Sequence, residues 1–115
     1  MPAKIKIFLI EDDQDDREFL EVALNDNHVE YDLEFINRGD QIIEWLKSTK
    51  DQPDIIIMDL NLPKLHGKEV ICRIKENQKF QHVPFLVLTT SSSAEDKAYC
   101  LDKGADRFVS KPSDV

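Results

Sequence analysis

The chain has 115 residues, 41% hydrophobic and 33% charged, with a formal net charge of −8. That length suits one domain, 1–115, and the apolar fraction supports a packed core rather than a disordered acidic chain. Its lysines and arginines are scattered; without a basic stripe to neutralise phosphates, direct nucleic-acid binding is argued against.

In chain order, Ile5 to Ile10 is an apolar run broken only by Lys6, and it ends in Glu11-Asp12-Asp13. It is too short and too acidic in its flank for a signal peptide. A helical pattern follows, with Phe19, Leu20, Ala23 and Leu24 on one face and acids in the first turn, where the helix dipole favours them. Tyr31 to Ile36 alternates and reads as a second strand at an edge. Gly39-Asp40 introduces a short helix carrying Ile42, Ile43, Trp45 and Leu46, and Pro53 ends any continuation. Asp54 to Pro63 contains the most apolar strand, Ile55 to Met58, which stops at Asp59. An uninterrupted apolar run of this kind suits a strand buried on both faces. After Gly67, Val70, Ile71 and Ile74 recur at helical spacing, and Asn77 to His82 reads as a loop. Phe85 to Leu88 is a fourth strand, ending at Thr89-Thr90. Ser93, with Asp96 three residues on, caps a fourth helix whose apolar stripe is thin: Ala94, Ala98 and Leu101. Gly104 is a helix stop. Arg107 to Ser110 is a fifth strand, followed by Lys111-Pro112.

Strands alternating with helices predict an α/β fold with a parallel sheet and right-handed crossovers. A doubly wound sheet takes helices on both faces, so a fifth helix, truncated here, is expected in the parent protein. Cys72 and Cys100 fall in helical patterns without metal-like spacing, which points to a reduced, cytoplasmic chain. No apolar run is long enough to cross a bilayer. His28, His66 and His82 make no pattern and read as surface residues.

The C-terminal ends of the strands carry Glu11 and Asp12, Asp59, Thr89 and Lys111. In a parallel sheet these ends share one edge, where such folds keep their ligands. Each residue alone has an ordinary explanation: an acidic helix start, a turn, a strand exit, a surface lysine. Their joint occurrence at four strand ends does not. Three carboxylates together repel, and one lysine cannot balance them. An oxygen-only cluster favours Mg²⁺ or Mn²⁺ over zinc. With a cation bound, Asp59 is placed to act as a nucleophile toward phosphorus. Lys111 and the Thr89 hydroxyl would contact the phosphoryl group, and the Asn61 backbone carbonyl is a further candidate metal ligand.

At these residues the chain resembles the receiver domain of two-component response regulators. The segments that carry the resemblance are Ile7 to Asp13, Pro53 to Pro63 with Gly67, Pro84 to Thr90, and Gly104 to Pro112. They occur in family order and cover nearly the whole chain. The acidic start and the Asp-Leu-Asn-Leu-Pro block look most like small stand-alone CheY-like receivers, including the phytochrome-associated type.

The resemblance implies a flavodoxin-like, five-stranded doubly wound sheet of order 2-1-3-4-5. It makes Asp59 the phospho-acceptor, Asp12 a direct Mg²⁺ ligand, and Glu11 a residue acting through water. Thr89 matches the switch hydroxyl and Lys111 the phosphate-contacting lysine, with a cis Lys111-Pro112 bond expected. Phe108 occupies the aromatic switch position, where many members carry Tyr, so no hydroxyl is available to anchor there. The implied partners are a sensor histidine kinase or a histidine phosphotransfer protein, and a downstream protein read through the strand 4–helix 4–strand 5 face. A homodimer is left open. The implied chemistry is the domain's own phosphorylation and dephosphorylation, in the service of a signalling switch.

Three rivals share parts of this pattern. A non-phosphorylated pseudo-receiver, an interaction module, would lack the acids. A flavin-mononucleotide binder of the same topology needs a hydroxyl-rich phosphate loop where Glu11-Asp12-Asp13 would repel a phosphate. A haloacid-dehalogenase-type phosphatase carries its nucleophile after the first strand and has a cap insertion, for which this chain has no room.

Overall fold

The computed structural model describes residues 4–11, 13–36, 39–49, 52–59, 67–89 and 93–110. Its elements are β1 (Ile5–Ile10), α1 (Gln14–Asp26), β2 (Tyr31–Ile36), α2 (Gly39–Ser48), β3 (Ile55–Met58), α3 (Gly67–Glu76), β4 (Phe85–Thr89), α4 (Ala94–Asp102) and β5 (Arg107–Ser110). All strand pairs are parallel, and the order is β2-β1-β3-β4-β5. The predicted α/β class and strand order are those observed, and β2 is an edge strand as expected.

The register explains why the third run is apolar throughout and the first is apolar but for Lys6. Ile7 pairs with both Leu33 and Ile55, and Ile10 with both Ile36 and Met58. Alternate residues then face opposite sides, and both sides are covered. On one face Phe8, Ile10, Ile56, Met58, Phe85 and Val87 meet Ile42 of α2, Val70, Ile71 and Ile74 of α3, and Cys100 of α4. On the other, Ile7, Leu9 and Ile57 form a smaller core against Leu20 and Leu24 of α1. Each fully buried aliphatic or aromatic side chain contributes about 1.5–3 kcal/mol relative to exposure. The larger face therefore carries most of the stability. Trp45 is half-buried and packs edge-on to Phe8, with ring centroids 4.3 Å apart.

Several expectations change. Asn77 to His82 is not simply a loop. Gln78–Phe80 forms one 3₁₀ turn, capped by the Asn77 side chain, which accepts from the Lys79 N–H at 3.0 Å. That turn drives Phe80 fully into the core, against Phe8. β4 runs one residue further than its apolar run, because Thr89 still pairs with Ser110. In α4 the predicted stripe is exposed: Ala94, Ala98 and Leu101 face outward, and Cys100 is the buried contact. In α1 no residue is fully buried, and Phe19 is 63% exposed. Leu20 and Leu24 alone of its predicted face pack on the smaller core. Ser93 caps α4 as predicted, accepting from the Asp96 N–H at 3.2 Å. Both cysteines are free thiols. The side chains of Ile43 and Leu46 lie outside the described residues.

Gly104 stops α4 at φ +120°, a conformation that side-chain-bearing residues rarely adopt. β5 is then tied to β4 at its start: the Asp106 N–H donates to Phe85 O, and the Phe85 N–H donates to the Asp106 carboxylate, both at 2.8 Å. Among the described residues, no helix is long and apolar enough to cross a membrane.

Candidate functional site

The strand ends meet because the ladder continues one residue past β1 and β3. The Glu11 N–H donates to Ile36 O, and the Asp59 N–H donates to Ile10 O, each at 3.0 Å. The two acids are thus fixed side by side at the C-terminal edge of the two central strands. Continued alternation turns them toward the α1 face, since Leu9 and Ile57, two residues earlier, belong to the core under α1. Both are nearly inaccessible, Glu11 at 3% and Asp59 at 8% exposure.

α1 enters from that same side. Its start is set by Asp13, which has extended backbone angles and a side chain that accepts from the Asp15 N–H at 2.8 Å. The Asp13 N–H in turn makes a long contact, 3.4 Å, to the Glu11 carboxylate. This cap places the third helical residue, Asp16, over the strand ends. One carboxylate oxygen from each of Glu11, Asp16 and Asp59 lies within 4.8 Å of the others. It is the only such group of three or more acidic, histidine or cysteine side chains among the described residues.

Chain order alone does not reveal Asp16 as a neighbour of Asp59. Its membership depends on the phase of the helix, which the Asp13 cap fixes. Asp13 itself enters the site as a capping residue and not as a member of the acidic group.

Thr89 is the last residue of β4 and is completely buried. β4 passes beside β3 with Val87 opposite Met58, so Thr89 lies at the same edge as Asp59. Phe108 lies opposite Val87 in β5, half-buried against the larger core. Asp12, Asn61 and Lys111, together with the Lys111-Pro112 bond, lie outside the described residues.

The donors present suit a hard divalent cation. They are carboxylates, they converge, and among the described residues no thiol or imidazole joins them. Like charges so close favour the bound cation for a simple reason, since it relieves their mutual repulsion.

Residues 7–115 match the response regulator receiver domain family. The chain belongs to this family. The receiver is 34% identical over 110 residues to the response regulator ArlR of Staphylococcus saprophyticus, a match that covers 96% of the chain and 47% of that protein. It thus spans about half the length of the curated relative it matches. Among solved structures, the receiver is similar to the phosphorylated cyanobacterial phytochrome response regulator RcpA. There the TM-score is 0.88 at 30% identity, covering 97% of this chain and 84% of the other. It is also similar to the receiver domain of the sensor histidine kinase PA1611 of Pseudomonas aeruginosa, in which a magnesium ion is coordinated in the active site cleft. That likeness has a TM-score of 0.79 at 26% identity, covering 97% and 88% of the two chains.

Proposed function

We propose that this receiver accepts a phosphoryl group on Asp59 from the phosphohistidine of a sensor histidine kinase or a histidine phosphotransfer protein. The observation that carries the reading is the position of Asp59. It is a buried carboxylate at the end of the central strand, beside Glu11, in a chain of the receiver family. In the transfer, a carboxylate oxygen of Asp59 attacks phosphorus, the phosphorus–nitrogen bond breaks, and the imidazole leaves. The Asp59 N–H is held by Ile10 O of β1, so the nucleophile is oriented before the donor arrives. Lys111 neutralises phosphoryl charge from the end of β5, and the Thr89 hydroxyl donates to a phosphoryl oxygen.

Glu11, Asp12, Asp59 and the Asn61 carbonyl would hold Mg²⁺ or Mn²⁺. When bound, the cation supplies positive charge against the phosphoryl oxygens. Phosphorylation replaces one negative charge with roughly −1.5 to −2 at the strand edge. Thr89 then draws toward the phosphoryl group, Phe108 changes rotamer beside it, and the face formed by β4, α4 and β5 is read by a downstream protein. α4 suits that role because its exposed surface carries Ala94, Ala98 and Leu101 and only Cys100 of the helix is buried.

The test is incubation with Mg²⁺ and a small phosphodonor, followed by intact-mass measurement. Wild type is expected to gain one phosphoryl group and Asp59→Asn none. No adduct on wild type, or an equal adduct on the variant, would contradict the proposal. The first of those results would favour an interaction module that is not phosphorylated.

A further inference from the structure

We propose that Asp16, on the first turn of α1, belongs to the cation site. Its carboxylate adds to those of the strand ends and raises the site's affinity for Mg²⁺. This inference rests on the proposed function for where the cation binds. The acidic group alone does not define the site; family membership does, with the magnesium ion in the active site cleft of the related Pseudomonas receiver. What this chain adds is the identity of the third described acid.

Three observations single out Asp16 from the other acids of the same turn. Its carboxylate is within 4.8 Å of both Glu11 and Asp59, in a group that includes neither Asp13 nor Asp15. It is half-buried, whereas Asp13 and Asp15 are exposed. And the capping geometry that sets its position is itself connected to the site through the Asp13 N–H and the Glu11 carboxylate.

A competing explanation is local. Acids in a first helical turn are favoured by the helix dipole, whatever lies opposite them. Asp15 shares that benefit equally, being adjacent and in the same turn. The two explanations therefore separate on a comparison of two neighbouring substitutions.

The Asp16 carboxylate, within 4.8 Å of those of Glu11 and Asp59, adds its negative charge to theirs against a doubly charged ion. In surroundings close to aqueous, losing that attraction weakens binding roughly tenfold. The effect is on occupancy. It leaves the chemistry of Asp59 untouched once the site is saturated.

The experiment is calorimetric titration with Mg²⁺ of wild type, Asp16→Asn and Asp15→Asn, with circular dichroism confirming the fold of each. Asp16→Ser replaces Asp16→Asn if the latter fails to fold. The expected result is an affinity about tenfold weaker for Asp16→Asn and unchanged for Asp15→Asn. Phosphorylation by a small donor should then be slow in Asp16→Asn at limiting Mg²⁺ and equal to wild type at saturating Mg²⁺. Wild-type affinity in Asp16→Asn, an equal loss in Asp15→Asn, or a rate deficit that persists at saturation would each overturn the inference while leaving the proposed function standing. A wild type that does not bind Mg²⁺ would instead overturn the metal reading on which both depend.

Discussion

Replacing Gly104 by Ala tests how the end of α4 is joined to the core. At φ +120° any side chain strains the backbone, at a cost of about 1–2 kcal/mol. The added Cβ would also lie 2.8 Å from Cγ of Lys75 and 3.2 Å from its Cδ. Lys75 cannot yield freely. Its ammonium donates to Gln81 O at 3.4 Å and Val83 O at 3.2 Å, and lies 5.8 Å from the centre of the Phe85 ring. Displacing it forfeits about 1 kcal/mol or more of net hydrogen bonding. Together the two effects predict a loss of roughly 2–4 kcal/mol. At about 4 °C per kcal/mol for a domain of this size, that lowers Tm by roughly 8–16 °C. The assay is urea denaturation of a double-mutant cycle with Lys75→Ala. In the Lys75→Ala background Gly104→Ala should cost only the backbone part, about 1–2 kcal/mol. Equal costs in both backgrounds would refute the steric contact. A cost below about 0.5 kcal/mol in wild type would refute the backbone argument.

Two further substitutions probe other parts of the fold. Phe80→Ala should destabilise by about 3–5 kcal/mol, because it empties a fully buried site against Phe8; a urea midpoint close to wild type would show that the 3₁₀ turn does not insert its ring. The Tyr31 hydroxyl donates to a Glu21 carboxylate oxygen at 3.1 Å. Partial burial first, then this hydrogen bond and the Glu21 charge, raise its pKa above the usual 10.0. A raised pKa makes the stabilising contribution complete below the unfolded value and lost as pH rises through the folded one. Stability should thus decline above pH ~10 in wild type and decline less in Tyr31→Phe; ultraviolet titration showing a Tyr31 phenolate forming at or below the ordinary value would contradict this.

Much of the architecture was legible because burial on both sheet faces leaves a plain mark. The runs Ile5 to Ile10 and Ile55 to Met58 are apolar without alternation, and the register shows each flanked by two strands. Helix boundaries were readable where a capping side chain sets them, as Ser93 does. Phe80 was not readable, since a lone aromatic among polar residues has no period, and its burial depends on one short turn. The buried contact of α4 was not readable either. Alanines at helical spacing look apolar, but a small side chain offers little area, and the buried contact falls instead on Cys100.

At the site, the gathering of Glu11, Asp59 and Thr89 at one edge followed from topology alone, because parallel strands end together. Asp16 did not follow from topology. Its reach toward Asp59 requires knowing at which residue α1 begins, and the Asp13 side chain decides that. The exposed Phe19 shows the same limit: sequence periodicity names a face of α1 but not how deeply that face sits on the sheet.

The central claim is that Asp59 is the residue that takes the phosphoryl group. Borohydride reduction of the phosphorylated protein, followed by peptide sequencing in the mass spectrometer, tests it directly, because an aspartyl phosphate is reduced to homoserine. The account predicts homoserine at position 59 and at no other aspartate. Homoserine at Asp12 or Asp16, or none after treatment with Mg²⁺ and a phosphodonor, would contradict it.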